Sequence, residues 1–283
     1  CRPCTAGRTN HCERLVAGHL KPGLQTGFCA DTGGGWSLAL VAHDLQLHEV
    51  PAGFSDEAAV MVEPTACAVH AALAAPASPS GADPALLAVV IGAGTMGLAT
   101  VAAIRRLRPD VVALLVVAKH PEQRRLAFEL GATAVVEPGE LPRAVRRASG
   151  SWILDNGQLT GGAPVVWDCV GSSDSIAEAL AVVAPGGSVV LVGMPGAVEV
   201  DLTGLWQREI HLTGAYAYGP EPAAAGRHSF DLALEVVEAA GLERLVSATY
   251  PLDRYADAIE HAAAAGRRGA VKVAFDLRGE KRR

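Results

Sequence analysis

The stretch "VVIGAGTMGLATVAAI" constrains this chain more than any other. An apolar strand pattern runs directly into Gly92, Gly94 and Gly97, spaced G-x-G-x-x-G, and directly out into a helical pattern. Each glycine has a physical task at such a corner. Gly92 permits the tight turn, Gly94 lets a pyrophosphate approach the backbone, and Gly97 lets helix and strand pack closely. The helix opens on Thr95 and Met96, at the end where N–H groups lack intrahelical partners and can face a phosphate. The motif points to a dinucleotide site, although glycine turns of this kind also occur in methyltransferases and plain α/β domains.

The surroundings favour the dinucleotide reading. From about residue 84 the pattern alternates: "ALLAVVIG", "TMGLATVAAIRRL", "VVALLVVA", "PEQRRLAFELGA". Buried-strand patterns follow at "AVVEP", "VVWDCVG" and "GSVVLVGMPG", with the helical "DSIAEALAVVA" between the last two. This alternation predicts an α/β fold, a doubly wound parallel sheet of the Rossmann type with helices on both faces. Later, "SFDLALEVVEAAG" and "ADAIEHAAAAG" read as helices and "AVKVAFDL" as a closing strand. Residues before about 54 are rich in turn residues, with short apolar runs such as "WSLALVAH", and read as loops and short strands. "APASPSGADP" reads as a surface connection.

The end of the second strand bears on which dinucleotide binds. An acidic residue there would hold the ribose 2′-OH of NAD. The sequence instead reads "LLVVAKHPEQRR", with Ala118 in the acidic place, followed by Lys119 and His120. A small residue leaves room for a 2′-phosphate and the Lys119 ammonium supplies charge to hold it, with Arg124 near in sequence. The expectation is NADP over NAD. The alternative is that Lys119 and His120 belong to a solvated loop.

Charge and hydropathy narrow the partners. Lys and Arg number 24 against 30 Asp and Glu, a formal net charge of −6, with no basic run for a nucleic acid. The longest apolar stretch, "VVALLVVA", is too short to cross a bilayer. Six cysteines in 283 residues, three of them clustered, fit a reducing compartment and one metal site rather than a disulfide scaffold. The expected location is the cytoplasm. The cluster is Cys1-x2-Cys4-x7-Cys12, a spacing that favours tetrahedral Zn2+. A fourth ligand could be His11 or a cysteine upstream of Cys1; ligation by the adjacent His11 and Cys12 strains the geometry. Cys29, Cys67 and Cys169 read as small buried hydrophobes.

A second signal lies in "SDEAAVMVEPTACAVHAAL". Ser55 can cap a helix with Asp56 and Glu57 in its first turn. Pro64 interrupts that helix and suits the first position of the next. Glu63, just before the proline, is expected to be extended, with its carboxylate projecting from a break between helices. Beside apolar Met61, Val62 and Ala66 it needs a cation or donors; a salt bridge or helix cap would also serve. His70 reads as a packed residue.

Together these pieces resemble the zinc-dependent medium-chain alcohol and polyol dehydrogenases over essentially the whole chain. That family carries structural-zinc cysteines spaced C-x2-C-x2-C-x7-C, and Cys1, Cys4 and Cys12 match the last three. "HEVPAGFSDEAAVMVEPTACAVHAA" is similar to its segment joining the catalytic and cofactor domains. There Glu63 matches an acidic residue at the catalytic zinc, and Cys67 could line the nicotinamide pocket. "GAGTMG", "DCVG" and "APGGSVVLVGMPG" are similar to parts of its cofactor domain, where Gly193 and Met194 could border the cofactor or form a simple turn. Lys272 in "AVKVAFD" falls where the family often contacts the cofactor's phosphates. The family's upstream cysteine and Gly-His-Glu zinc ligands have no match, so the chain is expected to be the remainder of a longer enzyme.

The resemblance implies three segments. Residues 1–63 would be the remnant of a mostly β, GroES-like catalytic domain, 64–215 the Rossmann domain, and 216–283 a return to the catalytic domain. It implies hydride transfer between an alcohol or carbonyl substrate and NADP or NAD, aided by Zn2+ as Lewis acid, in a homodimer or homotetramer. This fragment by itself would be inactive. A zinc-free quinone-reductase-like enzyme and a non-catalytic dinucleotide-binding protein are the alternatives.

Overall fold

The structure, a computed structural model, describes residues 1–14, 27, 31, 33–42, 44–76 and 86–279. Cys29 and most of the 75–84 connection lie outside the described residues. Two short helices come first, α1 (Arg2–Thr5) and α2 (Asp56–Ala59), then the longer α3 (Val62–Ala74). The alternating part runs β1 (Leu86–Ile91), α4 (Thr95–Leu107), β2 (Val111–Val117), α5 (Pro121–Glu129) and β3 (Ala134–Val136). It continues through α6 (Leu141–Ser149), β4 (Ala163–Asp168), α7 (Ser173–Val182), β5 (Val183–Leu191), α8 (Thr203–Gln207) and β6 (His211–Gly214). After it come the hairpin strands β7 (Pro220–Glu221) and β8 (Arg227–His228), then α9 (Ser229–Ala240). The chain closes with β9 (Val246–Tyr250), α10 (Tyr255–Ala263) and β10 (Lys272–Phe275).

β1 to β6 form one parallel sheet in the order β3-β2-β1-β4-β5-β6, as the strand–helix alternation predicts. Its strands are apolar on both faces because both are covered. Ala88 and Val90 of β1 belong to a core with α3, α4 and α9, while Val89 and Ile91 face a second core with α6 and α7. Of the loops and short strands expected around "WSLALVAH", residues 36–42 form loop, as bends and irregular chain. Alternating apolar residues make a strand only where a neighbour takes up the backbone hydrogen bonds, and no described strand pairs with this stretch.

Helix α3 is the joint between the N-terminal segment and the sheet. The last carbonyls of any helix lack intrahelical donors. Here the fully buried Trp167 of β4 donates its indole N–H to the Ala71 carbonyl at 2.8 Å. Arg108, just past α4, donates to Ala72, Ala75 and Pro76 carbonyls at 3.0 to 3.1 Å. Its other donors form a forked pair with Asp110, at 2.9 and 2.7 Å, and hold that carboxyl below the usual range. Arg108 is 6% exposed, so these bonds replace water that it has lost.

Removing that guanidinium would strand three carbonyls and one carboxylate. Arg108→Ala is expected to cost about 3–5 kcal/mol, read from denaturant unfolding. The Asp110 pairing stabilises fully above about pH 4 and is lost as pH falls through the depressed native value. The variant should therefore lose less stability than the parent on acidification below about pH 4.

Candidate functional site

The sheet changes direction between β1 and β4, and ligands of such sheets sit at the carboxyl ends of those two strands. A cleft of about 470 Å³ lies there, lined among others by Gly92, Gly94, Lys119, His120 and Val170. Gly92 has φ +93, open to glycine, and a Cβ on it would lie 2.6 Å from Val170. A Cβ on Gly97 would lie 1.9 Å from the Gly92 carbonyl oxygen, so only glycine lets α4 start this close to β1. Gly94 is different: a Cβ there meets nothing within 4 Å, and the residue caps α4 without a side-chain bond. The first N–H groups of α4, those of Thr95, Met96 and Gly97, thus open beside free space. The residues fit a pyrophosphate.

The far side of the cleft is built by Asp168, which the sequence reading passed over. Fully buried, its carboxylate accepts from the Val170 and Gly171 amides at 2.8 and 3.1 Å and from Ser175 at 2.9 Å. Ser172 and Ser175 cap α7 reciprocally. The signal available was an Asp closing an apolar strand in "WDCVGSSDS", with serines spaced as a capping box. Gly193 packs on this turn, where a Cβ would lie 2.4 Å from the Val170 backbone, and Met194 is 75% exposed. Neither lines the cleft.

At the end of β2, Ala118 is buried and its amide donates to Val136. Lys119 and His120 follow on the rim, with Lys119 exposed. Arg124 donates to the Lys119 carbonyl at 3.3 Å and pairs with Glu137 at 2.7 Å, so part of its charge is already answered.

Glu63 departs from expectation. It is helical, the second residue of α3, and the break falls earlier, at Val60 and Met61. Pro64 is the third residue of α3 rather than the first. A proline there costs no intrahelical bond, because first-turn N–H groups have no acceptor. The Glu63 side chain is exposed and gains from the positive end of the helix. Ser55 does cap α2, accepting from Ala58 at 3.1 Å.

Around Glu63 sit Cys67, Tyr218 and Lys272. Cys67, one turn on, reaches Glu63 at 3.7 Å, and burial followed by the Glu63 charge pushes its thiol up to about 12. Burial, then Glu63 and Cys67, raises the Tyr218 hydroxyl to about 12. Burial lowers Lys272 while Glu63 opposes that shift. Thr95 donates to the Val271 carbonyl at 3.1 Å, which puts Lys272 directly after a residue bonded to the first turn of α4. Lys272 thereby connects the pyrophosphate end of the cleft with the Glu63 face. Cys169 lines the cleft, with its thiol also pushed up to about 12 by burial.

The three N-terminal thiols converge. α1 sets Cys1 and Cys4 one turn apart, and a 3₁₀ turn at Thr9–His11 returns Cys12 to them. The Cys1 and Cys12 sulfurs are 4.0 Å apart and all three lie within 4.8 Å of one another. Tetrahedral Zn–S bonds of about 2.3 Å need sulfurs roughly 3.8 Å apart, so the set fits zinc. The Glu13 and Arg14 amides point at the Cys1 and Cys12 sulfurs at 3.5 and 3.3 Å, donors that favour thiolates. His11 does not join the group. Among the described residues no third donor gathers with Glu63 and Cys67, so that face does not by itself fit a metal.

Comparison with known proteins adds the family. A family model described as zinc-binding dehydrogenase matches residues 92–239, just over half of the chain. A Rhizobium meliloti protein named for D-xylulose reductase is 30% identical over 81% of this chain and 61% of its own length. Sorbitol dehydrogenase of Arabidopsis thaliana is 28% identical over 98% of this chain and 70% of its own. The chain thus spans about three fifths of the first of these relatives. A crystal structure described as a zinc-binding dehydrogenase of Sinorhizobium meliloti bound to NADP superposes with a TM-score of 0.70 at 27% identity. That match covers 96% of this chain and 72% of the other. With the glycine turn, the sheet order and the thiol loop all in place, the chain belongs to the zinc-binding dehydrogenase family.

Proposed function

We propose that the protein is an NADP-linked dehydrogenase of alcohols or polyols. The observation that carries this reading is the open cleft at the β1–β4 crossing, flanked by Gly94 and ended by Lys119 rather than a carboxylate. The solved relative with NADP supports the choice of cofactor, and the relatives named for D-xylulose reductase and sorbitol dehydrogenase support a polyol substrate. A bound nicotinamide supplies hydride chemistry. The chain's own residues bind and orient: Gly92, Gly94, Thr95, Met96 and Gly97 receive the pyrophosphate, with Lys272 beside them. Lys119 and His120 hold the 2′-phosphate end. Glu63, Cys67 and Tyr218 form the face that accepts the substrate hydroxyl, with Glu63 as its acidic group.

Cys1, Cys4 and Cys12 hold a structural zinc, which crosslinks a loop that has little apolar packing of its own. Residues 1–63 and 216–283 form the catalytic side and 64–215 the cofactor domain, with α9 packed on α3 and α4 across that division. The edge strand β6 leaves its residues exposed, which supports assembly as a homodimer or homotetramer. The five described cysteines are free thiols, in keeping with the cytoplasm, and no described helix is long and apolar enough to cross a membrane.

Calorimetric titration with NADP+ and NAD+ tests the cofactor, followed by turnover on a polyol panel. NADP+ should bind at least about tenfold more tightly, and Lys119→Ala should weaken NADP+ by about tenfold while leaving NAD+ within about twofold. Failure to bind either dinucleotide overturns the reading; an unchanged NADP+ affinity in the variant removes Lys119 from it. The zinc assignment has its own test. Cobalt substituted into the protein should show thiolate-to-metal charge-transfer absorption that Cys4→Ser and Cys12→Ser each reduce strongly. An unaltered spectrum in both variants would place the metal elsewhere.

A further inference from the structure

The thiol loop does not stand apart from the Glu63 face. Asn10, between Cys4 and Cys12, donates from Nδ2 to the Tyr216 carbonyl at 2.8 Å, across 206 positions of sequence. Its Oδ1 lies against Gly219, where an added Cβ would approach it to 3.4 Å. Residues 215–219 run from the end of β6 to the β7–β8 hairpin and carry Tyr216 and Tyr218.

Both ends of that stretch are pinned. The Ala215 amide donates to the Leu191 carbonyl at 3.0 Å. The Gly219 amide donates to the fully buried Ser229 hydroxyl at 2.9 Å, and that hydroxyl lies 2.8 Å from the Gly219 carbonyl. Ser229 also contacts the Glu221 carboxylate, which meets His70 Nδ1 at 2.9 Å on α3. Between these anchors, Asn10 bonds the stretch at Tyr216. Asn10 is fixed in turn by a short loop whose ends are three thiols. A metal drawing those sulfurs together removes freedom from the loop and hence from Asn10.

We propose that Asn10 is a positioning residue that couples the metal-bound thiol loop to residues 215–219, so that filling the three-thiol site sets the shape of the face beside Glu63. The coupling rests on the preceding reading only in calling that face the substrate site.

Amide hydrogen exchange of the 214–221 segment tests this on the intact protein, with zinc content measured in every sample. Compared are the zinc-loaded parent, the parent with its thiol site emptied, and zinc-loaded Asn10→Ala and Asn10→Asp. The aspartate keeps the size of Asn10 but has no N–H to donate, so it serves if the alanine variant fails to fold. Zinc removal and either substitution should each speed exchange by about three- to tenfold. Removing zinc from a variant should add little, because both changes break the same link. Peptides from β1 and β4 should exchange as in the parent. In turnover, the variants should raise KM for the alcohol by a similar factor with kcat within about twofold. Unchanged exchange in a zinc-loaded variant, or effects that add in full, overturns the coupling. Coupled exchange without turnover on any alcohol by the full-length protein upholds the coupling and overturns the dehydrogenase reading; turnover with uncoupled exchange does the reverse.

Discussion

Helix α4 can begin where it does because Gly97 presents only hydrogen to the Gly92 carbonyl. Any side chain would put a carbon 1.9 Å from that oxygen, far inside the sum of their van der Waals radii. From this contact the rest of the crevice follows. The helix starts at the tip of β1, its unpaired amides face the space over Gly94, and β4 lies alongside with its own turn drawn tight. That second turn depends on a different device: the buried Asp168 gathers two backbone amides and a serine, so the loop after β4 has few other shapes open to it. One wall is set by a missing side chain and the other by a charged one with every partner supplied.

Glu63 is a surface residue on a helix whose other end is buried. Trp167 and Arg108 satisfy the carbonyls at the C-terminal end of α3, and Met61, Val62, Ala66 and Val69 pack into the core. A carboxylate mounted this way has mobility only in its own side chain, since moving the backbone would break buried bonds each worth about 0.5–1.5 kcal/mol. The same helix carries Cys67 and His70 on the Glu63 side, at intervals of one and two turns. α3 therefore acts as a ruler, fixing the spacing between the Glu63 face and the His70–Glu221 contact.

Much of this was legible in the sequence where the cause is local. The glycine spacing, the apolar strand runs, the Ser55 cap and the cysteine spacing each act within a dozen residues, and each is found. The misreadings are cases where a local preference met a remote partner or an exemption. The steric bias of residues before proline toward extended backbone is overridden at Glu63 by the packing of α3, whose first turn needs no donor from Pro64. The short apolar runs of "WSLALVAH" find no pairing strand among the described residues and stay loop. Arg108 carries no local sign of its burial, which comes from the unpaired end of α3, 32 to 36 positions upstream. Asn10 carries no signal at all, since its partner is a backbone carbonyl, which every residue possesses.

The links from the thiol loop to the sheet share one physical character. Asn10 meets Tyr216, Gly219 meets Ser229, Ser229 meets Glu221, Glu221 meets His70, and α3 meets Trp167 of β4. Each is a directional hydrogen bond, several of them buried. Apolar packing between the same elements would tolerate sliding by a fraction of an ångström at small cost, because contact area changes slowly with position. A hydrogen bond loses strength steeply as its angle falls, and a buried one left unmade costs more than it contributed. A chain of such bonds therefore transmits position where a greasy interface would absorb it. That difference explains how a loop built mostly of exposed residues can hold a defined place relative to a helix in the core.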